Sequence, residues 1–372
     1  MDIETLRCAL ALHAALYFKP KALSLGIETI LREQAEQCSS ASVVRNTEQI
    51  ALRNRSTAAW DTADLALRWR SPVRCIILRG SAEYPANLAN IADPPPVLFV
   101  DGDEAALNAP QIGIVGSRDA TPSGCDTAFW LAGELCASGF AITSGLARGI
   151  DGAAHRGALA KGGQTLAILG CGIDRVYPRI HEKLARQISQ SGARVSELPL
   201  GVPPLALHFP LRNRIISGLG AGVIVVEANL SSGSLITARL ALEQGREVFA
   251  VPGSIRNPWT RGCHALIRQG AVLIEGPEDI LEALPSYTLP TALRLPELRG
   301  NEAIVLARVP QDIKNLVLKS AGFEPVSADV LLERTGLTMN MLSSILLEME
   351  LSGEVRSLHG GLYERTGKRG HS

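Results

Sequence analysis

The chain of 372 residues carries no net charge: 37 Lys and Arg stand against 37 Asp and Glu. No segment is basic as a whole. Residues 1–75 hold 10 basic and 8 acidic side chains, residues 76–295 hold 18 and 19, and residues 296–372 hold 9 and 10. This excludes a broad electrostatic blanket for a polyanion, because such a footprint is a basic domain or stripe. Any anion site must be local. No apolar run approaches the ~20 residues of a membrane span, so no membrane association is expected. The opening MDIETLRCALAL has acids early and no basic n-region, which argues against a secretory leader. No CxxC occurs among the seven cysteines, Cys8, Cys38, Cys75, Cys125, Cys136, Cys171 and Cys263. Their odd number and wide spacing argue against a zinc site or disulfide framework and for free thiols in a reducing cytoplasm. Neither a Walker pattern nor GxGxxG is present. No cofactor and no metal are expected.

What remains is the composition of a soluble globular protein, 46% hydrophobic and 20% charged. Its length suits two to three domains. Residues 1–75 show helical spacing in ETLRCALALHAALY, ETILREQAEQ and DTADLALRWR and no strand-like run, which predicts a small helical domain. Residues 76–285 are Gly-rich and alternate short apolar runs with helical stretches: QIGIVGS, AITSG, TLAILG, ARVSE, GVIVVEA, EVFAVPG and AVLIEG. That alternation predicts an α/β domain with a mostly parallel sheet covered on both faces. Ligands in such sheets bind beyond the carboxyl ends of the strands, so the residues just after each run are the functional candidates. Residues 286–300, SYTLPTALRLPELRG, hold two prolines and no clear period and read as a linker. Residues 301–367 read as helices followed by a hairpin. VSADVLLERTG stops at Gly336, LTMNMLSSILLEMELSG stops at Gly353, and EVRSLHGGLYER folds around His359-Gly360-Gly361. This is the winged-helix pattern. Its second helix, residues 338–352, has no Lys or Arg. A reader of base edges and phosphates needs such side chains, so a protein-contact or packing role is favoured there.

Four loops carry chemistry. In the first, Gly116, Ser117 and Arg118 follow a strand. Glycine lets backbone N–H groups approach an anion, the serine adds a hydroxyl and the arginine a planar fork; a plain tight turn is the alternative. In the second, Ser144, Gly145 and Arg148 sit in TSGLARGIDGAAH, where Asp151 and His155 are four apart and share a helix face. A capping and packing role competes there with acid/base chemistry, and no third metal ligand is evident. The third is FPLRNR, with Phe209, Arg212, Asn213 and Arg214 at a helix start; the two arginines point in different directions and would make a basic edge, and Phe209 could stack on a base. In the fourth, Ser232, Gly233 and Ser234, with Thr237 one turn on, form a phosphate cradle or a plain N-cap. One phosphate needs one such turn. Several turns at one sheet edge suit a run of phosphates, as in single-stranded nucleic acid.

The motifs YPANLANIADPPPVLF, GIVGSR, TSGLARGIDGAAH, ILGCGIDRVYP, SELP, FPLRNRIISGL, VEANLSSGSLITARLA, FAVPG and LIRQGA, densely and in order over residues 76–285, closely resemble the DNA-processing protein A (DprA/Smf) family. The resemblance implies a Rossmann-like core that binds single-stranded DNA, protects it and loads RecA onto it in natural transformation, usually as a homodimer through that core. It implies a sterile-alpha-motif-like helical domain before the core and a winged helix after it. The family's GSR motif falls on Gly116, Ser117 and Arg118, its FPxRN motif on Phe209, Pro210, Arg212 and Asn213, and its SGS turn on Ser232, Gly233 and Ser234. The expected protein is a binder with no catalytic residues. The rival is a Rossmann-like nucleotide hydrolase with Glu197, Glu227, Asp151 and His155 as acid/base candidates.

Overall fold

The computed structural model describes residues 3–16, 57–284, 311–321, 325–337, 339–358 and 362–366. The stretch ETILREQAEQ and the linker placed at 286–300 lie outside the described residues. The chain divides into two compact units, Met1–Arg294 and Leu295–Ser372.

The first unit is built on a nine-stranded sheet. Two of its strands were not among the apolar runs: β1 (Arg74–Leu78) and β2 (Val97–Gly102), which pair antiparallel with each other. The seven runs become β3 (Gln111–Val115), β4 (Ala141–Ser144), β5 (Thr165–Ile168), β6 (Ala193–Ser196), β7 (Gly222–Val225), β8 (Glu247–Ala250) and β9 (Val272–Leu273). All pairings among these seven are parallel. The order is β1-β2-β6-β5-β4-β3-β7-β8-β9. The chain therefore walks outward from β3 to β6, returns to lay β7 on the other side of β3, and walks outward again. The reversal leaves a switch point between β3 and β7, and a crevice opens there at the carboxyl ends of the strands.

Helices cover both faces because every central strand is apolar on both. Within β3, Ile112 and Ile114 pack into one cluster and Val115 into another, as the two-residue period requires. The helices are α1 (Ile3–Leu16), α2 (Thr57–Trp69), α3 (Ala86–Ala89), α4 (Pro122–Ala137), α5 (Ile150–Ala160), α6 (Glu182–Ser191), α7 (His208–Leu219), α8 (Ser234–Glu243), α9 (Arg261–Arg268) and α10 (Pro277–Ala283). One face packs on α3, α7, α8 and α9 through Leu88, Ile215, Ile216, Ala238 and Leu266. The other packs on α4, α5 and α10 through Leu131, Leu135, Ala154 and Ile280.

The described N-terminal helices do not enclose a core of their own. Leu6, Leu10 and Leu12 of α1 and Ala63 and Ala66 of α2 share a cluster with Leu78, Val97 and Phe99 of the sheet and Leu184 and Ile188 of α6. The predicted boundary at residue 75 falls inside β1. These helices cover Val97 and Phe99 on one face of β2, while Leu98 and Val100 pack into the cluster on the other face.

The second unit comprises α11 (Gln311–Ala321), β10 (Val326–Ser327), α12 (Ala328–Thr335), α13 (Met339–Leu351), β11 (Val355–Leu358) and β12 (Leu362–Arg365), with sheet order β10-β12-β11. Ser327 caps α12 by accepting from Val330 N–H at 3.4 Å, and Gly336 ends it in the left-handed conformation at φ 67°. Val317, Leu331, Leu342, Ile345, Leu346 and Met349 form its core. This is a winged helix, with the helix stops where the sequence placed them.

Among the described residues, no helix is long and apolar enough to cross a membrane and no group of three or more His, Cys, Asp or Glu could hold a metal ion. The six described cysteines are free thiols.

Candidate nucleic-acid interface

The crevice at the switch point has a volume of about 610 Å³. All four sequence-predicted loops border it, the second through Ala147 and Asp151 and not through Ser144, Gly145 or Arg148. After β3, Gly116, Ser117 and Arg118 form one wall. Ser117 is pinned on both sides: its N–H donates to Glu227 O at 2.7 Å, and its carbonyl accepts from Ile150 N–H at 3.2 Å. Its hydroxyl accepts from Asp119 N–H at 3.1 Å. After β7, Ser232, Gly233 and Ser234 lead into α8, with Thr237 buried one turn on. The Ser232 and Ser234 hydroxyls lie 2.7 Å apart. This helix N-terminus presents N–H groups and a favourable dipole to the crevice. At the start of α7, Phe209, Arg212 and Asn213 close the third side. The Asn213 amide donates to Gly233 O at 3.4 Å and so ties the third loop to the fourth.

The four arginines of these loops have different fates. Arg118 is exposed, and its guanidinium lies 5.4 Å from the centroid of the Phe209 ring. Tyr177 stands 5.6 Å from the same ring on its other contact. Arg148 is exposed and faces Asp119 at 3.8 Å, outside the crevice lining. Arg212 is buried. Its Nη1 donates to Gly145 O at 2.8 Å and to Ile168 O, bridging the ends of β4 and β5. Its Nε–H has no acceptor among the described residues, although the side chain borders the crevice. Burial pulls the Arg212 guanidinium down to about 10, with Asp151 opposing that pull. Arg214 departs from the basic edge expected of it. It binds both carboxylate oxygens of Glu197, at 2.5 and 2.6 Å, and faces Asp93 at 3.2 Å. A guanidinium held in that fork has already met its anions, so it ties α7 to the loop after β6.

Ser144 and Gly145 of the second loop do not reach the crevice lining. The Ser144 hydroxyl donates to Ile114 O at 2.6 Å and is fully buried, linking β4 to β3 in place of a phosphate contact. Gly145 passes beneath the Arg212 guanidinium, where a Cβ would come within 2.4 Å of both terminal nitrogens. Asp151 accepts from Gly145 N–H at 3.1 Å and Ala147 N–H at 3.4 Å. Burial pushes its carboxyl up, and Arg212 opposes this. Leu146 is held at φ 57° between them, and the His181 ring packs on its carbonyl with Nδ1 at 3.0 Å.

The acid candidates are each held by internal partners, and the histidine is held through Nδ1 with its Nε2 buried and unpartnered among the described residues. The Glu227 carboxylate accepts from Thr121 N–H at 2.8 Å and Thr121 Oγ1–H at 2.7 Å at the start of α4. Glu197 is taken by Arg214. His155 is fully buried with Nδ1 2.7 Å from Thr165 Oγ1, and burial pulls its imidazole down to about 3.

Tyr177, Asn229 and Trp259 also line the crevice. They were not among the expected site residues. Asn229 lies four residues past β7, where the rule that function lies just past each apolar run would have reached it; Tyr177 and Trp259 lie nine residues past β5 and β8, beyond that rule.

A Rossmann-like sheet with three donor-rich turns and an arginine–aromatic edge at its switch point defines a nucleotide- or polynucleotide-binding protein by class. The comparisons are specific. The family model for DNA recombination-mediator protein A matches residues 75–285, and the DprA winged-helix model matches residues 305–361. Protein Smf of Escherichia coli is 45% identical over 300 residues, covering 80% of this chain and 79% of that protein. The DNA processing protein DprA of Bacillus subtilis is 47% identical over 215 residues, covering 56% and 72%. The crystal structure of DprA from Streptococcus pneumoniae superposes with a TM-score of 0.60 at 33% identity, covering 76% of this chain and 98% of that one. DprA from Helicobacter pylori, solved for its single-stranded DNA binding mode, superposes with a TM-score of 0.53 at 30% identity, covering 58% and 97%. The chain belongs to the DprA/Smf family of DNA-processing recombination mediators.

Proposed function

We propose that this protein binds single-stranded DNA across the switch-point crevice, protects it and loads RecA onto it during natural transformation. It does so in the cytoplasm, as a homodimer through the sheet domain, without a cofactor and without catalysis. The observation that carries the binding reading is the exposed Arg118 guanidinium over the Phe209 ring, beside the Ser117 and Ser232–Ser234 donors. A cation on an aromatic face offers a phosphate and a base at one place, and only an unpaired base has a face to give it. In a fluorescence-anisotropy titration of the full chain, Arg118→Ala is expected to weaken binding to all sequences. It should also reduce the slope of log affinity against log salt by about 0.7 for the one phosphate lost. An unchanged slope would remove Arg118 from the strand's path.

The hydrolase rival has its acids and its histidine committed to internal partners, which favours the binder. Incubated with nucleoside monophosphates, the wild-type chain and Glu227→Gln are both expected to release no free base above buffer. Release by the wild type that vanishes in Glu227→Gln would establish the rival.

A further inference from the structure

Trp259 is the one large aromatic side chain of the crevice that its neighbours leave without a ring partner. Phe209 contacts Tyr177 and Arg118, whereas Trp259 has no aromatic or cation contact among the described residues. Its indole N–H also has no acceptor there. The backbone, by contrast, is held firmly. Trp259 N–H donates to Asn257 Oδ1 at 2.9 Å, its carbonyl accepts from Ala228 N–H at 2.6 Å, and Thr260 Oγ1 donates to Ser254 O at 2.7 Å. The short turn Pro258–Thr260 thus presents a half-buried indole beside Asn229 and Ser231, in an otherwise polar wall.

The sheet order separates the strand ends from which the two rings are held. The Phe209 ring packs against Gly170, just past β5, while Trp259 follows β8. Strands β4, β3 and β7 lie between. Four interstrand spacings of about 4.8 Å put β5 and β8 roughly 19 Å apart. Rings held from strand ends that far apart suit different bases of one strand, and the donor turns after β3 and β7 lie between those strand ends. Resting on the single-stranded DNA reading above, we propose that Trp259 is a second base-stacking platform, which takes an unpaired base at the far end of the crevice from Phe209. A bare π-face accepts any base, so the platform adds affinity for bases in general and does not read sequence. Its indole N–H remains available to a phosphate or base acceptor.

The test uses the full chain with an oligothymidylate and with an abasic deoxyribose-phosphate strand of the same length. Trp259→Ala is expected to bind oligothymidylate about 5- to 100-fold more weakly and to bind the abasic strand as the wild type does. Trp259→Phe should recover most of the loss and should abolish part of the tryptophan quenching that DNA causes in the wild type. Oligothymidylate binding by Trp259→Ala at wild-type strength would overturn the platform, as would an equal loss for both strands. If Trp259→Ala unfolds, Trp259→Phe decides: unchanged quenching in it overturns the proposal. Arg118→Ala weakening the binding while Trp259→Ala does not would refute the platform alone. A wild type that binds neither strand would refute the crevice reading with it.

Discussion

Replacing Arg212 with alanine is expected to lower the unfolding temperature of the sheet domain by roughly 10 °C, from a loss of about 3–5 kcal/mol. The guanidinium joins Gly145 O and Ile168 O at the ends of neighbouring strands and faces the buried Asp151 carboxylate. Alanine strands both carbonyls and leaves the acid without its counter-charge. An uncompensated buried charge costs more than the pair contributed, which is why truncating one partner is so damaging. The loss should be partly restored by adding Asp151→Asn, since the unpaired charge is then gone. Thermal melts of the three variants measure this. A normal melting temperature in Arg212→Ala, with DNA affinity gone, would make Arg212 a strand ligand only and not a pillar of the crevice floor.

Gly149→Ala is expected to cost about 3 kcal/mol or more and to weaken DNA binding with it. Gly149 caps α5 at φ 72° and ψ −127°, a conformation closed to residues with a Cβ. The added carbon would also stand 2.2 Å from Ser117 O. That carbonyl accepts from Ile150 N–H, so relieving the clash moves the very loop that carries Ser117 and Arg118. Gly162→Ala provides the control. Gly162 has φ 67° but no neighbour within 4 Å of its Cβ, so it should lose only the ~1–2 kcal/mol of a left-handed residue and bind DNA normally. Equal effects in the two variants would show that backbone conformation alone, and not the contact with Ser117, sets the loop.

These two residues also show what a sequence can and cannot convey. That Arg212 and Arg214 point in different directions follows from their spacing on a helix. What each meets does not. Arg212 runs under the crevice to carbonyls 67 and 44 residues away, and Arg214 reaches Glu197, 17 residues away. Both read locally as surface cations. Only the strand order puts an acceptor in front of each, because a guanidinium near a buried carbonyl or carboxylate is held there in preference to facing solvent. Ser144 is a similar case. Ser-Gly after a strand reads as a donor turn, yet the sheet packs β4 so close to β3 that the hydroxyl is taken by Ile114 O. In the opposite direction, Trp259 carried no local signal beyond its place after FAVPG; its role as a crevice wall arises from β8 lying next to β7.

The sequence by itself determined the seven parallel strands, since nearly every one is a short apolar run closed by Gly, Ser or Glu, with stretches of helical length between most of them. It determined the winged helix through the helix stops at Gly336 and Gly353. It also pointed to a local anion site, because 37 charges of each sign, evenly spread along the chain, leave no domain basic as a whole. The tertiary structure decided the remainder. The N-terminal helices join the sheet because β2 needs an apolar cover. The chain reverses between β3 and β7, so turns more than 100 residues apart open onto one crevice. Of four candidate arginines, Arg118 alone is left exposed over an aromatic ring at the crevice wall, because side-chain pairing is settled by distance in space and only the sheet order sets that distance.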